Sequence, residues 1–97
     1  MFFGIGIFAD GMMFGYAVDG VIYLKTDDVI VTDFAAEQSE PFLYPTKGGM
    51  RTLTSYWRLP ERLYDDPEEL AFWARRSFEA ARRAAGRPRA AVMRKYR

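Results

Sequence analysis

Ninety-seven residues without a single cysteine or histidine leave no disulfide framework, no thiolate nucleophile and no cysteine-ligated metal, and remove the side chain that most often moves protons or binds metals near neutral pH. At 49% hydrophobic and 16% aromatic the chain reads as one folded domain with one core, not as a disordered segment. The net charge of +1 hides a division: Met1 to Ala74 holds five basic and twelve acidic residues, whereas Arg75 to Arg97 holds nine basic residues and only Glu79, so an acidic body carries a basic end.

The chain opens on three apolar runs, Phe2–Ala9, Met12–Val18 and Val21–Lys25, cut by Asp10-Gly11 and Asp19-Gly20. Asp-Gly favours the two-residue type I′ hairpin, in which both central residues take positive φ. The runs are rich in aromatic and β-branched residues, which suit a pleated surface. A three-stranded antiparallel meander is therefore predicted. Alternation puts Phe3, Ile5 and Ile7 on one face and Phe2, Gly4, Gly6 and Phe8 on the other. The two glycines leave that second face bare for packing relief. They lie inside a strand and not between a strand and a helix, so they do not form a phosphate-cradling loop.

Asp27 or Asp28 is predicted to cap a short helix reaching about Ser39, with Phe34 and Ala35 inward. Val29-Ile30-Val31 opposes this, since three β-branched residues prefer a strand. The adjacent acids read as a cap favoured by the helix dipole, in preference to an acid/base or metal-ligating pair. Pro41–Tyr44 is a short strand, Pro45–Gly49 a loop and Thr52–Arg58 another strand, with Leu53, Ser55 and Trp57 on one face and Thr54, Tyr56 and Arg58 on the other.

Asp66-Pro67-Glu68-Glu69 marks the start of a long helix: an N-cap, proline at the first helical position, and an acid placed to complete a capping box. Leu70, Trp73, Ala74, Ser77, Ala81 and Ala84 form its apolar stripe with Phe78 at the flank; Arg75, Arg76, Glu79, Arg82 and Arg83 cover the opposite side. Phe72 falls outside the stripe and is read as lying under a loop. Gly86 and Pro88 stop the helix, which divides the chain into a domain over residues 1–86 and a basic tail over 87–97. No run approaches the roughly 20 apolar residues of a membrane-spanning helix. Phe2–Ala9 lacks the basic flank of a signal peptide, so a cytoplasmic location is expected.

The order of these signals resembles the N-terminal domain of the TfoX/Sxy family. The resemblance is carried by Met1-Phe2-Phe3-Gly4-x-Gly6, the Asp10-Gly11 turn, Met13-Phe14, Leu24-Lys25 ahead of paired acids, and Phe34. It continues through Pro41-Phe42-x-Tyr44, Ser55-Tyr56-Trp57-Arg58-Leu59-Pro60-Glu61, Asp66-Pro67-Glu68-Glu69-Leu70 and Trp73-Ala74. It spans roughly residues 1–85 in one register. Phe3 stands where the family's Met-Phe-Gly-Gly opening has glycine, and the expectation is of a domain without the family's usual first helix and without its C-terminal domain. The resemblance implies an α+β fold, a five-stranded antiparallel sheet with a long C-terminal helix packed on it. It also implies a co-regulator of transcription and competence, not an enzyme.

Three functional classes follow. The first is a protein-interaction module, docking a regulator-like protein or a second copy through an apolar sheet face that includes Phe3, Ile5, Ile7, Phe14 and Tyr16. The second is nucleic-acid binding through Arg75, Arg76, Arg82, Arg83, Arg87, Arg89, Arg94, Lys95 and Arg97, with Tyr96 to stack on a base. The third, an enzyme, is disfavoured: Asp27/Asp28 and Asp65/Asp66 have capping explanations, and Ser55 has no histidine to activate it. The sequence calls for no cofactor, no metal and no membrane partner.

Overall fold

Tight turns set the topology of the computed structural model, which describes residues 4–86. Asp10 and Gly11 have φ of 52° and 76°, and Asp19 and Gly20 have 52° and 79°, as a type I′ turn requires. They join β1 (Gly4–Ala9), β2 (Met12–Val18) and β3 (Val21–Lys25) into the predicted meander. After α1 (Val31–Ala36) come β4 (Pro41–Thr46) and β5 (Gly49–Arg58), then a 3₁₀ helix over Glu61–Asp65 and α2 (Pro67–Ala85). The five strands form one antiparallel sheet in the order β1-β2-β3-β5-β4. The segment predicted as a basic tail lies outside the described residues, as do Phe2, Phe3 and Pro88.

Both helices and the 3₁₀ segment pack on one face. Leu24, Ile30, Phe34, Leu59, Leu63, Trp73 and Ala80 form the core there, with Phe14, Ile22, Trp57 and Leu70 against it. The Phe34 and Trp73 rings meet edge-on with centroids 4.8 Å apart. Asp66 caps α2 as predicted, its carboxylate accepting from the Glu69 N–H at 3.2 Å. The reciprocal half of the capping box is not made: the Asp66 N–H donates to Leu63 O, and the Glu69 carboxylate is held by Arg62 and the Trp73 indole. The stripe on α2 includes Ala80, fully buried and not foreseen. Phe72, expected under a loop, is 52% exposed, with the Arg76 guanidinium 5.5 Å from its ring centre. Gly86 ends α2 with φ −83°, so no left-handed residue is used at that stop.

The predicted helix over 27–39 is shorter. Asp27–Ile30 is a turn in which the Val29 and Ile30 N–H groups donate to the Asp27 carboxylate at 3.0 and 3.3 Å, and the Val31 N–H donates to Asp27 O. The β-branched trio thus delays the helix by a turn. At its other end Gln38, at φ 61°, allows Ser39 N–H to reach Phe34 O and Gln38 N–H to reach Ala35 O, a Schellman closure. Phe34 is buried, but Ala35 is exposed, because a helix this short presents only one side chain squarely to the sheet.

Two irregularities move side chains between faces. In the β1–β2 ladder Ile7 faces Gly15 while Phe8 faces Met13, leaving Phe14 as an extra residue: a β-bulge that reverses the alternation downstream. In the β4–β5 ladder Pro41 faces Trp57 while Phe42 faces Leu53, so residues 54–56 arch away from β4. The freed Thr54 carbonyl accepts from the Thr26 hydroxyl and the Trp57 indole. The expected grouping of Leu53 with Trp57 fails for this reason: Trp57 packs in the helix-side core, whereas Leu53 joins Tyr56 on the opposite face. The segment read as a loop over 45–49 is also more regular, since both strands continue to a tight turn at Lys47-Gly48.

Candidate functional site

The face of the sheet turned away from the helices carries the most distinctive surface. Phe42 on β4 sits at its centre, buried together with Val18 and Tyr56 and flanked by Met13, Tyr16, Tyr23 and Tyr44. The Tyr16 and Tyr23 rings meet Phe42 edge-on at 6.0 and 4.7 Å, and Tyr44 stacks at 6.1 Å. These arrangements suit the aromatic quadrupole. Met13, Tyr16, Phe42, Tyr44, Leu53 and Tyr56 line an open groove of about 280 Å³.

The glycines of β1 belong to this construction. An added Cβ at Gly4 would stand 2.3 Å from the Tyr16 ring, and one at Gly6 would stand 2.9 Å from the Met13 sulfur and 2.7 Å from the Phe8 ring. The bare backbone lets the large side chains of β2 lie flat across β1. At the rim the Lys25 ammonium lies 5.3 Å from the centre of the Tyr56 ring, and Arg51 is exposed directly opposite Tyr44 in the ladder. Burial pushes the Tyr56 phenol above its ordinary range, so it is a neutral hydroxyl at physiological pH. The groove offers apolar contact, ring faces and positive charge at the edge. It holds no acid–base pair and no nucleophile with an activating base.

The five residues predicted as one apolar contact face are divided. Ile7 and Phe14 lie under α2, where Phe14 meets Phe78 edge-on at 5.9 Å and Ile7 joins Ile22, Leu24 and Leu70 around a small apolar cleft. Tyr16 is on the opposite face, because the bulge at Phe14 breaks the alternation on which the grouping depended. Ile5 is 72% exposed near the sheet edge. Phe3 lies outside the described residues.

The predicted basic surface is also altered. Arg83 binds Asp27 through Nε at 2.6 Å and Nη2 at 3.1 Å, Arg76 pairs with Asp33, and Arg82 pairs with Glu79 at 3.7 Å. Arg75 is exposed. Arg87, Arg89, Arg94, Lys95, Tyr96 and Arg97 lie outside the described residues. The Arg83 guanidinium, with the Val29 and Ile30 amides, holds the Asp27 carboxyl below the usual carboxylate range. Arg62 does the same for Glu37 and Glu69, donating to both carboxylates at 2.8–3.0 Å. The Arg62 and Arg76 pairs pin α1, the 3₁₀ helix and α2 together, and the Asp27 carboxylate is engaged by Arg83 and the turn amides. Among the described residues no three His, Cys, Asp or Glu side chains are placed to hold a metal ion.

Sequence reasoning missed the groove. Pro41-Phe42-x-Tyr44 and Tyr56 were visible as strand residues, but their convergence on Met13 and Tyr16 depends on β5 inserting between β3 and β4 and on both ladder irregularities. The usable signal was the presence of one tyrosine in each of β2 to β5: Tyr16, Tyr23, Tyr44 and Tyr56.

The observed architecture defines a two-layer α+β domain: five antiparallel strands, helices on one face, and an aromatic face without a helical cover among the described residues. The TfoX N-terminal domain model matches residues 1–81, and the chain belongs to that family. No curated protein matches the chain at a significant level. No helix among the described residues is long and apolar enough to cross a membrane.

Proposed function

We propose that this chain is a non-catalytic protein-binding module of a transcription or competence regulator type, acting in the cytoplasm through the aromatic groove of its helix-free sheet face. The observation that carries this reading is the groove itself: six apolar or aromatic side chains around about 280 Å³, bordered by Lys25 and Arg51. A floor of rings with a basic rim suits a peptide segment that presents an apolar side chain next to acidic residues. Buried aromatic anchors supply most of the energy at such contacts, and rim charges supply orientation and encounter rate. Family membership supports a regulatory setting by analogy alone.

The test is titration of the isotopically labelled chain with two peptides that share a Leu-Phe centre, one flanked by Asp and Glu and the other by Lys and Arg. The acidic peptide is expected to shift resonances of Met13, Tyr16, Tyr44 and Leu53 and to bind more weakly to the Leu53→Asp and Tyr44→Asp variants. Shifts confined to α2, or binding unchanged in both variants, would remove the basis for the reading. A parallel titration with random-sequence duplex DNA at low salt examines the competing nucleic-acid role.

A further inference from the structure

The two edges of the sheet are built differently. β4 carries Pro41 and Pro45, which donate no ladder hydrogen bond and guard an edge against further pairing. β1, Gly4-Ile5-Gly6-Ile7-Phe8-Ala9, has no proline and no charge, and only β2 pairs with it among the described strands. Ile5 and Phe8 are 72% and 61% exposed. They project to opposite faces, since Ile5 faces Ala17 and Phe8 faces Met13 across the ladder. The bulge in this ladder inserts its extra residue in β2, which leaves β1 itself regular. An uncharged, regular, apolar edge is a template for another strand.

We propose that β1 pairs antiparallel with β1 of a second copy of this chain, making one continuous sheet about a two-fold axis perpendicular to it. The argument for a second copy is self-complementarity. Residues facing each other across an antiparallel ladder point to the same face, so a two-fold register joins only residues of like parity. The registers that pair five of the six residues of β1 centre on Gly6 or on Ile7. The first places Phe8 of one copy opposite Gly4 of the other, and the second places it opposite Gly6. In both, the exposed Phe8 ring meets an aromatic ring that already lies over that glycine, Tyr16 at Gly4 and the facing copy's own Phe8 at Gly6, a ring-to-ring contact that suits the aromatic quadrupole. On the helix face the same registers bring the exposed Ile5 against Ile7 or Ala9. Because β1 carries no charge, symmetry sets no like charges against each other.

The contact is one short strand, smaller than the roughly 1,200 Å² at which stable specific interfaces begin. Micromolar-to-millimolar self-association is the expected form. This edge adjoins the groove, since Phe8 and the β1 glycines share a face with Met13 and Tyr16; Ile5 projects to the opposite face, so Ile5→Lys tests self-pairing apart from peptide binding.

Sedimentation velocity of the full chain from about 10 µM to about 1 mM is expected to show a concentration-dependent monomer–dimer equilibrium. Ile5→Lys and Phe8→Lys are each expected to weaken it at least about tenfold, equivalent to about 1.4 kcal/mol. Leu43→Lys on the proline-guarded edge is expected to leave it unchanged. Both β1 side chains are exposed, so these variants should fold, as near-ultraviolet circular dichroism of the buried Trp73 will verify. Hydrogen exchange at the β1 amides should slow as concentration rises. A single monomeric species throughout, a dimer that survives both β1 variants, or a dimer abolished by Leu43→Lys would overturn the proposal.

Discussion

Replacing Asp27 separates a structural role for the Asp27-Asp28 pair from a chemical one. Asp27 accepts from the Val29 and Ile30 amides at 3.0 and 3.3 Å and from Arg83 at 2.6 and 3.1 Å. Its side chain is 10% exposed, against 41% for Arg83. Asp27 does not cap α1, whose N-cap is Ile30 without a side-chain bond; loss of a side chain that satisfies turn amides costs on the order of 1 kcal/mol. The charge-assisted pair adds less than about 1 kcal/mol, because the guanidinium is well solvated. Asp27→Ala is therefore expected to cost about 1.5–2 kcal/mol. At about 4–8 °C per kcal/mol for a domain of this size, that is a fall in Tm of roughly 6–16 °C. Asp27→Asn retains an oxygen for the amides and loses the charge, so it should cost about half as much. The sign of the pH dependence follows from the depressed pKa of Asp27. The pair's contribution is fully present above the unfolded carboxylate value of about 3.9 and is lost as pH falls through the lower folded value. Calorimetry of wild type and Arg83→Ala should thus show a Tm gap at neutral pH that closes in strong acid. A gap that persists there, or an Asn variant as damaging as the Ala variant, would refute the division between amide contacts and charge.

Other substitutions probe the core and the helix start. Ser77 Oγ is fully buried without a hydrogen-bond partner; Ser77→Ala removes an unsatisfied group and improves helix propensity, so thermal unfolding should show stability unchanged or raised by up to about 1 kcal/mol. Gly15 is buried, and an added Cβ would stand 3.1 Å from Ile7 and 3.3 Å from Leu24; Gly15→Val should cost about 1–3 kcal/mol by overpacking, measured by urea denaturation. Asp66→Ala should cost about 1 kcal/mol through loss of the α2 cap, with Asp66→Asn recovering most of it in the same assay.

Much of the architecture is written in local chemistry. Asp10-Gly11 and Asp19-Gly20 specify two hairpins because few other pairs tolerate consecutive positive φ. Asp66-Pro67 specifies the start of α2 because the cap and the ring-fixed φ act within one turn. Burial of Trp73 follows from helical periodicity alone. These features depend on neighbours within a few residues, so the sequence displays them directly.

The candidate site depends on contacts between distant segments. Phe14 and Tyr16 look like partners on one face until a bulge fixed by pairing with β1 separates them. Leu53 and Trp57 part company because residues 54–56 leave the β4 ladder to serve Thr26. The arginines of α2 look like a free basic surface until folding brings Asp27 and Asp33 to them. The sequence by itself determined the first three strands, their turns and the long helix, since each rests on short-range backbone preference or periodicity. Only the tertiary structure decided which face is greasy, which charges are neutralised and which edge is open, because strand register and long-range pairing reassign side chains that local alternation places correctly only while the ladder stays regular.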